Sequence, residues 1–458
     1  MPINRRSLFA ILAGAASTTA ATPTLARDAA NSGGDDAPLA RIEATTLGLR
    51  PNAVEDQSTV FQRAIDRAAA ARAVLSLAPG FYRAGSLKLP PYAAIAGVAG
   101  ATRILMAGGP FMLTATGSDY IRLSGLVLDG NAIPLPARNG LVHLAHGRFL
   151  RIADCEIVNA GGNGITLEAV EGEVTGNSIS AADAAIFSLD ARGLRIAGNT
   201  IRGAGNGGIL VWRSAAGDDG TLILDNRIEE ISNRAGGSGQ YGNAINVFRA
   251  DNVIVRGNRI RNAAFSAVRG NQASNLQIVG NTCSGLGEVA LYAEFGFEGA
   301  VIADNVVDGA AIGVSVTNFN EGGRLAVVHG NLIRNLLDRR PPGTDPNDGA
   351  GIAIGVEADT AVTGNVVENA PNIGIAAGWG RYLRDVAVSA NVIRGADYGV
   401  AVSVAPGAGA ALIADNLISG VRRAAIVGME FNKPVTGDLT KDGAGRYAQL
   451  SIGGNRVR

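Results

Sequence analysis

From residue 150 onward the chain repeats one short phrase: apolar, x, apolar, x, x, Asn, x, apolar. Leu194-Arg195-Ile196-Ala197-Gly198-Asn199-Thr200-Ile201 and Val253-Ile254-Val255-Arg256-Gly257-Asn258-Arg259-Ile260 are clean copies. The asparagines fall at 177, 199, 226, 258, 281, 305, 331, 365, 391, 416 and 455, and Cys155 holds the same place in an earlier copy. Successive spacings are mostly 22 to 27 residues, with 32, 34 and 39 where something has been inserted. A phrase repeated at this period is the signature of a solenoid, in which each unit buries its apolar face against the next.

Two solenoids share the phrase. Leucine-rich repeats follow it with leucines at helical or 3₁₀ spacing. Here the rest of each unit is Gly followed by a second alternating run: Gly164-Ile165-Thr166-Leu167, Gly208-Ile209-Leu210-Val211, Gly399-Val400-Ala401-Val402. Period-two alternation of Ile and Val is strand chemistry. The pattern predicts an all-β fold, a single parallel β-helix. Asn would turn the corner between two strands in a left-handed conformation, eased by the Gly before it. Stacked rungs would join the side-chain amides into a ladder, which makes these asparagines structural.

The front end differs. Asp56 to Arg72 carries Phe61, Ile65, Ala68 and Ala69 at helical spacing, with Asp56 or Ser58 as N-cap. Such a helix would close the open apolar end of the solenoid. Short strands follow around 74–77, 86–89 and 103–106, between Pro79-Gly80 and Pro90-Pro91 turns. The expected organisation is an export signal over 1–26, a linker over 27–40, a helical cap over 41–73 and the β-helix over 74–458.

Within the first segment, Asn4-Arg5-Arg6-Ser7-Leu8-Phe9 precedes an Ala-rich apolar stretch and the small-x-small site Thr24-Leu25-Ala26. The segment looks like a twin-arginine signal, with Asn4 where Ser or Thr usually stands; an ordinary secretory signal is the alternative. Either route implies a periplasmic or secreted protein, and the twin-arginine export machinery would be a partner. About 12 apolar residues are too few for a permanent span, and no later segment suits a transmembrane helix.

Composition narrows the class. Glycine, at 63 of 458, is about twice its usual share while proline, at 16, is not raised, which suits a turn-dense fold and excludes collagen. Forty basic residues balance forty acidic ones, so no nucleic-acid footprint is expected. Only three of the basic residues are lysines, so a catalytic lysine is nearly unavailable. Cys155 and Cys283 fall about five rungs apart. At roughly 4.8 Å per rung that is beyond disulfide reach.

Asp56-Gln57-Ser58-Thr59, Phe61-Gln62-Arg63-Ala64-Ile65 and Leu77-Ala78-Pro79-Gly80-Phe81-Tyr82 resemble the N-terminal cap of the pectate-lyase-like superfamily of right-handed parallel β-helices. With the signal and the tandem Asn units, the chain is similar to a family of twin-arginine-translocated repeat proteins. The resemblance implies a right-handed β-helix with an N-terminal capping α-helix and carbohydrate as partner. It carries no reaction with it. The pectin hydrolases of that superfamily order an Asn-x-Asp strand, Gly-Asp-Asp, Gly-His-Gly and Arg-x-Lys. Here Gly217-Asp218-Asp219 reads as a loop, Ala145-His146-Gly147 precedes it, Val328-His329-Gly330 ends on the Asn corner, and Arg-x-Lys does not occur. Asp345-Pro346-Asn347-Asp348 resembles the Asp-Pro-His-Asp of alginate epimerases with Asn for His, and reads more simply as a surface turn.

Alternation places one set of residues on the outer side of the strand after each Gly. Rung by rung these are Thr166 and Glu168, Phe187, Leu210 and Trp212, Asn246 and Phe248, Arg269 and Asn271, Tyr292 and Glu294, Ser315 and Thr317. They continue as Ala353 and Gly355, Ala376 and Gly378, Ala401 and Ser403. The middle rungs offer aromatics, amides and charges, and the later rungs almost nothing. Insertions at 213–220, 233–242 and 338–349 would wall this strip, making a cleft for a polysaccharide or oligosaccharide. Trp212, Asn246, Phe248, Asn271 and Tyr241 would bind substrate. For proton abstraction beside a uronate carboxylate, Arg269 would neutralise charge while Tyr292 or Glu294 moves the proton. For hydrolysis, Glu294 would pair with Asp218 or Asp219. A plain Arg269–Glu294 ion pair is the competing reading. No cofactor is called for; a Ca²⁺ site on loop carboxylates stays open, although no acidic cluster has ligand spacing. The expected function is an exported β-helix that binds, and as a lyase, epimerase or hydrolase processes, an acidic glycan. The alternative is a non-catalytic glycan-binding or envelope scaffold.

Overall fold

The computed structural model describes residues 40–458, apart from 238, 343 and 345–348. The export segment, the linker up to residue 39 and the Asp345–Asp348 turn therefore lie outside the described residues. Each rung has three strands, which stack on the equivalent strands of neighbouring rungs to give three long parallel faces. The first face is a sheet of 16 strands running from Arg41–Glu43 to Leu450–Gly453. It starts earlier than residue 74, because Arg41–Glu43 pairs with Val74–Ser76. The second and third faces form one continuous sheet, because strands Val366–Ala377 and Val392–Ser403 run unbroken through the corner between them. Among the described residues, pairing is parallel throughout except for a hairpin of Ala424–Glu430 with Lys433–Asp438.

The interior follows from the alternation. Ile196, Ile223, Val255, Ile278 and Ile302 stack inside the first face; Ile201, Ile228, Ile260, Cys283 and Val307 stack inside the second. Ile209 and Val211 with Ile245 and Val247 do the same for the third. One apolar cluster extends along the solenoid, and helix α1, Ser58–Ala70, covers its N-terminal end with Phe61, Ala64, Ile65, Ala68 and Ala69. Asp56 supports that helix by accepting the Ser58 N–H at 2.8 Å, while Gln57 occupies the cap position without a side-chain cap bond.

The asparagines form the expected ladder at the corner between the first two faces. Asn199 Nδ2 donates to Asn226 Oδ1 at 2.9 Å and to the Val174 carbonyl at 2.9 Å, and its own Oδ1 accepts from Asn177 N and Nδ2. The same pattern repeats through Asn258, Asn281, Asn305, Asn331, Asn365 and Asn391 to Asn455. Every amide hydrogen and lone pair of Asn199 is thus used, which is what a buried amide requires. The conformational expectation needs correction. The left-handed residue is the one before each Asn, with φ of 65° at Gly198 and 54° at Asp225, and the asparagines themselves are not left-handed. Asp at this position also constrains the next rung. A Cβ added to Gly257 would lie 2.3 Å from Asp225 Oδ1, so a rung after Asp needs Gly.

Cys155 and Cys283 are free and buried, on rungs five steps apart as the register required. Burial pushes their thiols up to about 11 and about 12, so both stay protonated and inert. No helix among the described residues is long and apolar enough to cross a membrane.

Candidate functional site

The outer side of the third face carries two columns. One runs Thr166, Phe187, Leu210, Asn246, Arg269, Tyr292, Ser315, Gly355, Ala376, Ala401; the other runs Glu168, Leu189, Trp212, Phe248, Asn271, Glu294 and on through Ala377's neighbour Gly378. Pairing Ser315 with Gly355 and Val316 with Val356 puts Gly355, not Ala353, beside Ser315, and Glu357, not Gly355, beside Thr317. Ala353 is fully buried and joins an inner column with Gly313 and Gly374 where only small residues fit. The 338–349 insertion hid this register in the sequence, and Glu357 was missed with it.

Outward from the solenoid does not mean exposed. Thr166 donates to the Arg138 carbonyl at 2.7 Å under a preceding loop. Phe187 and Leu210 form a small buried cluster outside the helix, with Trp212 and Leu189 packed against it. Phe187, Trp212 and Phe248 meet edge to face, with centroids 5.3 and 6.1 Å apart. Trp212 Nε1 donates to Asn246 Oδ1 at 3.0 Å, and Asn246 Nδ2 reaches the Gly239 carbonyl on the 233–242 loop, two residues before Tyr241. These groups are brought together, as a packed aromatic and amide cluster.

The next rungs carry a buried charge network. Arg269 grips Glu294 with two bonds, Nε to Oε1 at 2.6 Å and Nη2 to Oε2 at 3.0 Å, and Asn271 donates to the same Oε1 at 2.8 Å. Glu288 lies 3.7 Å from Arg269 and accepts from Arg340 at 2.7 Å. Burial works against the Arg269 charge, and Glu294 and Glu288 outweigh it, so the guanidinium is held above its ordinary value. The same guanidinium lies 5.2 Å from the Tyr292 ring centre. Asp218 and Asp219 sit elsewhere, at the corner leading back to the first face, and Asp218 ends a strand, Gly207–Asp218, where a loop was expected. Asp219 is buried and bonded to Thr221, and burial raises its pKa above the ordinary aspartate value against the pull of Thr221 and Arg213. Asp218 accepts from Asn252 at 2.7 Å. No hydrogen bond or ion pair among the described residues joins either aspartate to Glu294.

Beyond Tyr292 the strip opens into a cavity of about 620 Å³. Its space comes from the small residues of the later rungs: Ser315, Gly355, Ala376 and Ala401 form the floor. Ile352, Ile373, Tyr398 and Met429 add an apolar layer on the outer side of the solenoid. The walls are aromatic. Tyr292 stands at one end, Trp379 and Tyr382 come from the turn after Val366–Ala377, and Phe431 comes from the terminal hairpin. Trp379 and Phe431 meet edge to face at 5.5 Å. Arg340 and Arg423 line the opposite side, engaged by Glu288 and by Asp397. Glu357 is the one carboxylate lining the cavity among the described residues. It is 8% exposed, and its Oε2 accepts the Phe319 N–H at 2.7 Å. Burial raises its pKa to about 7, against the opposing pull of the Phe319 and Asn318 N–H groups. The sequence carried one signal for these walls, since Trp379, Tyr382 and Tyr398 cluster in the last rungs of a chain with only 5% aromatics.

Comparison with known proteins places the fold. A family model described as a right-handed beta helix region matches residues 113–239 and 208–402. The chain belongs to the right-handed β-helix family. No curated protein matches the sequence. Among solved structures, this β-helix is similar to the N-terminal fragment of bacteriophage phi29 gene product 12, at 18% identity and TM-score 0.55, over 84% of this chain and 68% of that one. It spans 54% of the pre-mature form of the same phage protein, at 15% identity and TM-score 0.54 over 84% of this chain. The A-module of Azotobacter vinelandii mannuronan C-5 epimerase AlgE6 is 16% identical, with TM-score 0.41, over 91% of this chain and 99% of that one. At these identities the likeness is one of fold. Handedness, parallel stacking and the capping helix therefore stand as the sequence predicted.

Proposed function

We propose that this β-helix is an extracytoplasmic glycan-binding protein that seats its ligand in the cavity over Gly355, Ala376 and Ala401. The observation that carries the reading is the combination of that floor with four nearby rings, Tyr292, Trp379, Tyr398 and Phe431. Sugar rings present apolar faces that stack on aromatics, and their hydroxyls need a few polar groups, which Asn318, Asn320, Asn372 and Glu357 supply in the lining. A volume of this size lies in the ordinary range of ligand sites. From Tyr292 a longer chain would continue over Asn271 and Phe248 toward Trp212, with Asn246 and Tyr241 beside it. The export reading of residues 4–26 agrees with a ligand met outside the cytoplasm.

Turnover of an acidic glycan is the second reading, and Tyr292 favours it, because it both lines the cavity and lies against Arg269. There Arg269, Tyr292 and Glu294 would share proton movement, and hydrolysis would need Asp218 or Asp219 brought to Glu294. A panel of uronate, amino-sugar and neutral oligosaccharides, read by calorimetry and by release of unsaturated or reducing ends, separates the two. Binding without product supports the first reading; product that Tyr292→Phe abolishes supports the second. Absence of binding across the panel defeats both.

A further inference from the structure

Among the described residues, the charged side chains that line the cavity other than Glu357 are ion-paired. Arg340 donates to Glu288 at 2.7 Å within the buried network. Arg423 reaches Asp397 at 3.2 Å and the Tyr398 hydroxyl at 3.3 Å on the exposed rim. Arg384, behind the Phe319 turn, lies over the Phe319 ring and is held by Asp359. Glu321, on that same turn, is exposed and does not line the cavity. Glu357 has neighbours that donate hydrogen bonds to it but no ion pair among the described residues. A buried carboxylate in this position is costly when charged, and a cation entering from the cavity would offset the cost. The remaining lining suits a cation as well. Tyr292, Trp379, Tyr382, Tyr398 and Phe431 surround the space, and ring faces attract positive charge.

Resting on the glycan reading, we propose that Glu357 anchors a protonated amine, so that the sugar taken by the cavity is an amino sugar with its nitrogen free. The ammonium would replace a missing partner at Glu357 while the sugar ring lies on the Ala376 and Ala401 floor. An N-acetyl group removes the charge and a carboxylate reverses it, so both are discriminated against by the same residue. Acetylation changes little else in the ligand, which makes it the sharpest probe.

The experiment is calorimetric titration of the full chain at pH 7 with a glucosamine tetramer, its N-acetylated counterpart and a uronate tetramer. Wild type is expected to bind the amine form about tenfold or more tighter than the acetylated one. Glu357→Gln keeps an oxygen to accept the Phe319 N–H, so the turn is preserved. It is expected to collapse the ratio of amine to acetylated affinity from about tenfold or more to within about twofold. Equal affinities in wild type, tightest binding of the uronate, or a preference that survives Glu357→Gln would overturn the amine assignment while the glycan reading stands. Failure of all three ligands to bind wild type would remove the glycan reading itself.

Discussion

Glu357 shows how a single residue's setting becomes a property of the whole protein. Its folded pKa is raised to about 7 from an ordinary value of 4.5. Between those two values the native state holds a proton that the unfolded chain has released, so this group's contribution to stability falls as pH rises from about 4.5 to 7 and is flat above. The shift corresponds to a loss on the order of 3 kcal/mol. Glu357→Gln cannot ionise, so the variant should gain thermal midpoint over wild type as pH goes from 5 to 8, with the gap small at pH 5. Using the difference between the two proteins cancels Asp129, Asp359 and Asp438, whose lowered pKa values act in the opposite sense at lower pH. A gap independent of pH would mean that Glu357 is not buried as described. Nothing in the sequence marked this residue, because its environment is made by the Asn318–Glu321 turn and a register that an insertion obscured.

At the scale of strands and corners, the repeat phrase was legible because each position has one physical job. Alternating Ile and Val fill the interior, Asn closes the corner, and a left-handed residue precedes it. The sequence misassigned only the last of these, since Gly and Asp tolerate that conformation for different reasons and Asn tolerates it too. The ladder's role can be tested directly. Asn258→Ala leaves Asn226 N and Nδ2 without their acceptor and the Ile223 carbonyl without its donor. At about 1–3 kcal/mol for each buried group left unmatched, a loss of about 3 kcal/mol or more is expected. Ile209→Ala should cost about 2–5 kcal/mol by leaving a cavity. Gln277→Ala, on the exposed side of the first face, should stay within about 0.5 kcal/mol. Calorimetric or chemical unfolding ranks the three, and an Asn258→Ala variant no weaker than Gln277→Ala would mean that the ladder is ornament. The Phe187–Trp212–Phe248 contacts add a correction of emphasis. Trp212→Ala should cost stability as well as any binding, because its ring packs on two neighbours and its Nε1 holds Asn246.

For the whole molecule, periodicity reports stacking but not what lies over the stack. Alternation pointed to the outer side of the third face and read the Gly355, Ala376 and Ala401 stretch as empty. Small residues on a strand are uninformative alone; here they are the floor beneath Trp379, Tyr398 and Phe431, which reach them from a turn, the middle of strand Val392–Ser403 and the terminal hairpin. Such convergence depends on three-dimensional placement across several rungs, and no local pattern encodes it. A second recess exists on the first face, of about 530 Å³, with Val301, Leu325 and Val327 partly exposed in it. Lacking aromatic rings in its lining, it offers a sugar little to stack on. The two recesses make competing locations for a ligand. A crystal structure of the protein with a bound oligosaccharide decides between them. A sugar ring is expected over Ala376 and Ala401, between Tyr398 and Trp379, with a polar substituent at Glu357. A sugar seated against Val301 and Val327 on the first face, with the third-face cavity empty, would contradict that placement.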